Sequence, residues 1–413
     1  MPDPLSRATI DLVKATVPAL EAHGLTITTR MYERLFTNPE MRELFNQSHH
    51  GETGSQPRVL AQSVLAYARN IENLGVLAGA VERIAQKHVA LNILPEHYPH
   101  VAEALLGAIG DVLGEAATPQ IRAAWGEAYW FLAEILMGRE ATLYRDRSAA
   151  VGGWAGWRDF VIDGVTRESE AIRSFVLKPA DGGAVLPHRP GQYLGFRLDV
   201  PGHGVLKRNY SISCGPNPSS YRISVKREAS PGTPDGAASS WLHDHARPGT
   251  VLQAAAPAGD FVLDQASEAP VVLVSAGVGL TPMVSMLEAI AETTPDRPTW
   301  FVHGARNGRL QAMGEHVRAL VDGHPGLHRK VFFSRPETDD LGAGKFEFLG
   351  VVTADWLYAN TPNATATYYI CGPRSFLDSI AGGLALYGVT SDRIRFEFFG
   401  PTEELLQDGR EAA

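Results

Sequence analysis

A chain of 413 residues, 44% hydrophobic and 20% charged, has the composition of a soluble globular protein and room for two to three domains. Its net charge of −9 argues against a general binder of nucleic acid or of an anionic membrane surface. No run of about 18 apolar residues is present to span a bilayer, and the opening MPDPLSRATID lacks a basic and apolar leader, so the expected site of action is the cytoplasm. Cys214 and Cys371 stand far apart in different motifs, which speaks against a disulfide framework.

Residues 1–147 read as nearly all helix. Ser6 is placed to cap a helix running through Ala19, Leu25–Phe36 continues the pattern, and Pro39 opens a short helical turn. Further helical periods cover 56–72, 75–90, 97–115 and 119–144, with corners at HHGETGSQP (49–57) and NILPE (92–96). Within 75–90, Leu77, Val81, Ile84 and His88 share one face. An imidazole on an apolar face must find a partner, since an unpaired buried polar group costs about 1–3 kcal/mol. A metal, another side chain or a carbonyl would each serve, and a satisfied core histidine is the simplest of these.

The character changes at VGGWAGWRDF (151–160). FVIDGVTRE, IRSFVLKPA, GQYLGFRLDV, NYSISCGP, YRISVKRE and TVLQAAAPAGDFVL alternate apolar and polar residues between turn signals, the pattern of an antiparallel barrel. WLHDHA (241–246) is the single expected helix there. From 269 onward strands PVVLVSAG, PTWFVHGA, RKVFFSRP, TYYICGP and RIRFEFFG alternate with helices at 282–293, 311–323, 353–359 and 374–387, the rhythm of a doubly wound parallel sheet. The expected architecture is therefore multidomain: all-α over 1–147, antiparallel β-barrel over 148–265 and α/β over 266–413. The tail EELLQDGREAA (403–413) is expected to be a frayed end with no role.

Three motifs carry chemistry in the last two domains. VVLVSAGVGLTPM (271–283) is a strand, a glycine loop and a helix start, in which Gly277 and Gly279 admit a phosphate close to the backbone. Thr281 and Pro282 open the helix, and YYICGP (368–373) ends a later strand. KRNYSIS (207–213) offers the Arg208 fork for a pyrophosphate, the Tyr210 ring for a flat heterocycle and Ser211 at its edge. Gly236, Ala237, Ala238 and Ser239 make a second phosphate seat at a helix start. RNYS, GAAS, GVGLTP and CGP in this order resemble the ferredoxin–NADP⁺ reductase superfamily. The resemblance implies FAD on Arg208, Asn209, Tyr210, Ser211, Gly236 and Ser239. It implies a nicotinamide dinucleotide on Gly277, Gly279, Thr281, Pro282, Cys371, Gly372 and Pro373, with Phe399 beside the flavin. A flavin fed by a two-electron donor calls for a one-electron acceptor, and the helical domain is the place to look for it.

MYERLF, LFNQS, YARNIENL, IAQKH, WGEAYW and GREATLY, followed by GGWAGWRDF and RPGQYL, closely resemble flavohemoglobins over nearly the whole chain. The resemblance implies heme b held axially by His88, with Tyr98 and Glu140 hydrogen-bonded on the proximal side. It also implies Tyr32 and Gln56 facing bound dioxygen, Phe45 against the porphyrin, and Tyr193 of RPGQYL in the FAD site. The implied activity is NO dioxygenation: NO and O₂ become nitrate, with electrons passing from NADH through FAD to heme. Peroxide or quinone reduction with a lipid in the distal pocket, and heme sensing, are the competing readings. No nucleic-acid partner is expected, and a monomer is. Two departures stand out: Asn209 replaces the common Gln, and Arg306 stands where an acidic residue is common, followed by Ser334 and Arg335 after the next strand. NADH is the expected donor, and the two cations leave NADPH open.

Overall fold

The computed structural model describes residues 3–45, 55–229, 235–342 and 344–399. These fall into two compact units: the described residues up to Ala149, joined by Val205–Arg208, and the remainder from Ala150 to Phe399.

The first unit is helical, and its breaks follow from single residues. Ser6 caps α1 (Arg7–Ala15), its hydroxyl accepting from Thr9 N at 3.1 Å. The single helix expected through Ala19 is divided at Thr16. Pro18 has no N–H to donate and its ring crowds the preceding turn, so α2 (Val17–Leu35) starts afresh with the proline in its first turn. Asn38 caps α3 (Pro39–Glu43) by accepting from Glu40 N at 3.0 Å. Next come α4 (Ser55–Arg69), α5 (Ala78–Ala90) and α6 (Tyr98–Leu113). The last, α7 (Pro119–Ala149), is 31 residues long and runs five residues past the expected end. α2 packs on α4 and α6, and α7 packs on α1, α5 and α6, around Ile27, Met31, Leu105, Ile109 and Trp125. Among the described residues no helix is long and apolar enough to cross a membrane.

The strands form two sheets. β1 (Arg158–Arg167), β2 (Ile172–Pro179), β3 (Tyr193–Val200), β4 (Gly204–Ser211), β5 (Tyr221–Lys226) and β6 (Val251–Ala254) form an antiparallel half-barrel, in the order β4-β3-β6-β1-β2-β5. Of the long strand expected over TVLQAAAPAGDFVL, four residues form β6. Pro257 has no ladder donor and Gly259 sits at φ +112°, so the chain leaves the sheet and touches it again through the Tyr193–Ala258 bridge. The helix expected at 241–246 begins earlier, as α8 (Ala237–His245).

β7 (Val271–Ala276), β8 (Thr299–Ala305), β9 (Leu327–Phe333), β10 (Phe348–Leu349), β11 (Thr367–Cys371) and β12 (Ile394–Glu397) form the parallel sheet, ordered β10-β9-β8-β7-β11-β12. α9 (Leu280–Thr293), α10 (Gly314–Asp322), α11 (Ala354–Asn360) and α12 (Arg374–Leu386) alternate with the strands. Val271–Val274 are fully buried, as a central parallel strand covered on both faces requires. The two-residue β10 had no counterpart among the expected strands, being too short to carry a periodic signal.

Candidate functional site

His88 lies near the end of α5, Tyr98 opens α6, and Glu140 sits deep in α7, which packs on both. The three meet. His88 Nδ1 is 2.7 Å from Glu140 Oε1 and 3.2 Å from the Tyr98 hydroxyl, which itself donates to Glu140 Oε1 at 2.7 Å. Glu140 is 2% exposed, so its charge has left water and depends on these two donors. A carboxylate only accepts, so Nδ1 carries the ring proton and Nε2 presents a lone pair. Burial and then the adjacent Glu140 push the Tyr98 phenol far above its usual range, so it stays protonated and donating. Tyr129 extends the set by donating to Tyr98 O at 2.7 Å. It stands eleven positions before Glu140, about three helical turns, hence on the same face of α7. That spacing was the available signal for a residue the motif reading passed over.

Tyr32, on α2, is buried, and its hydroxyl is hydrogen-bonded with Gln56. Burial lifts its phenol well above the usual range, the Gln56 contact offsetting part of this, so it too is a neutral donor. The Tyr32 ring packs on Phe45 edge-on at 5.5 Å and on Phe36 at 5.4 Å. Phe36 completes the cluster, 5.5 Å from Phe45, and its place one turn after Tyr32 was its only sequence signal.

The residues fit a heme. Both hydrogen bonds of the His88 ring among the described residues fall on Nδ1, which leaves Nε2 for an axial metal bond. Leu60, Val64 and Leu65 on α4, and Val81 and Ile84 on α5, stay half-buried, an apolar lining of the kind a porphyrin covers.

In the half-barrel, strand alternation puts Arg208 and Tyr210 on one face of β4, with Asn209 and Ser211 on the other. Arg208 donates to Lys207 O at 2.7 Å, the Tyr210 ring lies 5.8 Å from Phe196, and Ser211 is buried. Tyr193, on β3, is buried beside Gly259, where a Cβ would come within 2.9 Å of its ring. Gly236 caps α8. The expected phosphate ligand Ser239 has its hydroxyl occupied, accepting from Glu228 N at 3.1 Å and donating to Gly236 O at 3.0 Å. Ser240 is different: its hydroxyl oxygen is buried with no partner among the described residues. An unsatisfied hydroxyl at a helix start fits an anionic group of a bound flavin nucleotide. The GAAS motif in the sequence pointed to Ser239 and not to its neighbour Ser240.

In the α/β lobe, the glycine loop and the C-G-P strand end come together. A Cβ on Gly279 would lie 2.2 Å from Cys371 O and 2.8 Å from Gly372 N, so only glycine allows this approach. Gly277 takes φ +56°, Thr281 donates to Val278 O at 3.0 Å, and Pro282 lies in the first turn of α9. Pro373 caps α12. Cys371 is fully buried; burial and then Glu397 hold its thiol well above the usual range, so it acts as a small neutral wall. His303, on β8, is also buried, 2.9 Å from Ser275 Oγ, and burial brings its imidazole down to about 4. Phe399, past the end of β12, is 44% exposed.

Two polar clusters join the half-barrel to the α/β lobe without any warning in the sequence. His188 Nε2 lies 2.9 Å from Ser285 Oγ and 3.0 Å from Cys214 O, and burial lowers its imidazole to about 4. Glu288 accepts from Gly215 N at 2.6 Å and from Arg222 at 2.7 Å, and lies 2.7 Å from His316 Nε2. Burial opposes the Glu288 charge, but His316, Arg222 and the Gly215 N–H together hold its carboxyl below the usual range.

Comparison with known proteins agrees with this geometry. Residues 29–136 match the globin family and residues 273–381 the oxidoreductase NAD-binding domain. Over 397 residues the chain is 52% identical to a flavohemoprotein of Xylella fastidiosa, covering 96% of this chain and 97% of that one. The flavohemoglobin of Malassezia yamatoensis, whose crystal structure contains FAD and heme, aligns with a TM-score of 0.84 at 25% identity, covering 96% of this chain and all of that one. The FAD/NAD-binding domain of a nitric oxide dioxygenase from Vibrio cholerae aligns at 34% identity with a TM-score of 0.54, covering 59% of this chain and 99% of that one. With helical, half-barrel and α/β parts in one order and near-complete coverage of its relatives, the chain belongs to the flavohemoprotein family.

Proposed function

We propose that this chain is an NAD(P)H-driven nitric oxide dioxygenase. The observation that carries the reading is the buried Glu140 carboxylate, 2.7 Å from both His88 Nδ1 and the Tyr98 hydroxyl. In the balanced reaction two NO, two O₂ and one NADH give two nitrates, NAD⁺ and a proton. When bound, heme supplies the iron at which the gases combine, FAD takes electrons in a pair and releases them singly, and nicotinamide supplies hydride.

His88 Nε2 is the axial ligand in this proposal. Glu140 and Tyr98 fix the ring's orientation and tautomer and give the imidazole imidazolate character, which pushes electron density toward the metal and suits oxygen activation better than storage. Tyr32, oriented by Gln56, is the distal donor, and Phe45 packs against the porphyrin. No side chain has to move a proton during nitrate formation; fixed donors and an apolar lining supply the positioning and charge stabilisation.

For FAD, Arg208 takes the pyrophosphate, Tyr210 stacks on the ring system, and Ser211 meets its edge. Tyr193, Asn209, Gly236, Ser239 and the α8 start complete the seat, with the free Ser240 hydroxyl as the added donor, and Phe399 shields the flavin. Gly277, Gly279, Thr281 and Pro282 take the dinucleotide phosphates, while Cys371, Gly372 and Pro373 border the nicotinamide. The domain bounds 1–147, 148–265 and 266–413 belong to the same proposal. So do a monomer and a cytoplasmic location, the latter supported by two free thiols. A lipid-like distal ligand fits the half-buried apolar residues Leu60, Val64 and Leu65 of α4.

The test is NO consumption under air with NADH. Tyr32→Phe is expected to slow it about a hundredfold, the scale of losing one preorganised donor. Equal rates in wild type and variant would refute the distal assignment.

A further inference from the structure

Helix α9 serves two neighbours at once. Its first turn, with Thr281 and Pro282, follows the glycine loop assigned to the dinucleotide phosphates. One turn further on, Ser285 is fully buried and lies 2.9 Å from His188 Nε2. Glu288, three residues later on the same face, accepts from Gly215 N and Arg222. All three partners belong to the half-barrel. His188 stands in the loop that leads into Tyr193, and Gly215 follows Ser211 by four residues. Ile212 N donates to Gln192 O at 2.9 Å, so these two stretches are themselves tied together. Gly191, at φ +104°, lets the first of them lie against α9, where a Cβ would come within 2.6 Å of Met286 Cε.

Both contacts are directional. Cys214 O can only accept, so His188 Nε2 carries the ring proton and shares it between that carbonyl at 3.0 Å and Ser285 Oγ at 2.9 Å. Burial brings the imidazole down to about 4, so the ring stays neutral at neutral pH. Its Nδ1 is buried with no partner among the described residues, which leaves Nε2 alone to orient it. Glu288 holds the second arm. One carboxylate oxygen accepts from Gly215 N at 2.6 Å and the other from Arg222 at 2.7 Å, and Arg222 Nε is itself held by Ser213 O at 3.1 Å. The Arg222 and Glu288 side chains are only 21% and 19% exposed, so solvent screens the pair little. Two arms about one turn apart fix both the place of α9 and its rotation about its own axis.

Hydride transfer needs the nicotinamide carbon close to the flavin, and a misplacement of about 1 Å can slow a reaction about a hundredfold. Resting on the reading of the two lobes as flavin and dinucleotide sites, we propose that Ser285 and Glu288 are positioning residues for hydride transfer. Through His188, Gly215 and Arg222 they hold the dinucleotide helix against the stretches that carry Tyr193 and Ser211, and so set the nicotinamide on the flavin. Neither side chain has to touch the reacting atoms. His316 on α10, its Nε2 2.7 Å from Glu288 Oε1, backs the second arm from the α/β side.

The test compares the full-length holoprotein with its Ser285→Ala and Glu288→Gln variants. Reduction of the bound FAD by NADH and by NADPH is followed anaerobically by stopped flow. Ser285→Ala is the cleaner change, because His188 Nε2 keeps Cys214 O as acceptor and its proton is not orphaned. In each variant the limiting rate of flavin reduction should fall about tenfold to a hundredfold, while the dinucleotide concentration giving half that rate stays nearly unchanged. The long-wavelength charge-transfer absorbance of nicotinamide stacked on flavin should weaken in parallel. A purely structural contact would lower the melting temperature and move neither the limiting rate nor that band. Unchanged heme and flavin spectra show that a variant folds, and if Glu288→Gln does not, Ser285→Ala decides alone. Wild-type limiting rates in the folded variants, or a loss confined to dinucleotide affinity, overturn the positioning role and leave both sites standing. If neither dinucleotide reduces the flavin of the unaltered protein, the hydride reading fails and takes the proposal with it.

Discussion

Replacing Glu140 with Gln tests the proximal set most sharply. The amide has almost the same shape, and its oxygen can still accept from the Tyr98 hydroxyl, so packing around the 2% exposed side chain is preserved. The charge is lost. A hydrogen bond to an ionised acceptor contributes about 1.5–3 kcal/mol and a neutral one about 0.5–1.5 kcal/mol, so the His88 Nδ1–H contact should weaken by about 1–1.5 kcal/mol. That contact favours the ferric state, because it shifts negative charge onto the imidazole and so toward the iron. Its weakening should raise the heme midpoint potential by about 45–65 mV for one electron. A spectroelectrochemical titration of the Soret band measures this directly. A potential that stays put or falls would show that the carboxylate does not act on the iron through His88.

His88→Ala should abolish the ferrous–CO spectrum while FAD absorbance persists; retention of that spectrum would refute the axial assignment. Gly279→Ala forces a Cβ against Cys371 O at 2.2 Å, so hydride reduction of FAD should collapse while the heme spectrum is unaffected, as stopped-flow reduction would show. Cys371, with its thiol held well above the usual range, should resist alkylation at pH 8 in the folded protein and react normally once unfolded, which mass spectrometry can read. Glu288 has a folded pKa below its unfolded value. Its contribution to stability is therefore complete above about pH 4.3 and disappears as pH falls through the folded value. Glu288→Gln should flatten that part of the acid-unfolding profile, and an unchanged profile would deny the cluster a role.

Local order was legible wherever a residue acts on its own stretch of chain. Ser6 marked a helix start, the buried run at Val271–Val274 marked a central strand, and Gly277 marked a turn. Pro18 was equally plain in the sequence, but the apolar period running through it outweighed its missing N–H, and one helix was expected where there are two. The heme residues were ambiguous singly: His88 on an apolar face could as well have met a carbonyl. Their joint resemblance to a family gave them roles, and the distances among His88, Tyr98 and Glu140 show that they meet. The His188–Ser285 and Glu288–Arg222 pairs had no such support, because contacts between residues so far apart leave no local pattern. That the Ser239 hydroxyl is already occupied depended on where Glu228 N points, a fact of tertiary structure alone.

The central claim is that electrons from a nicotinamide dinucleotide convert NO and O₂ to nitrate at the heme. Simultaneous measurement of NADH or NADPH oxidation, NO loss, O₂ uptake and nitrate in aerated solution tests it most directly. The account predicts one nitrate and one O₂ for each NO, with one dinucleotide oxidised for every two. Dinucleotide oxidation that proceeds without NO loss, or NO loss that yields no nitrate, would contradict it.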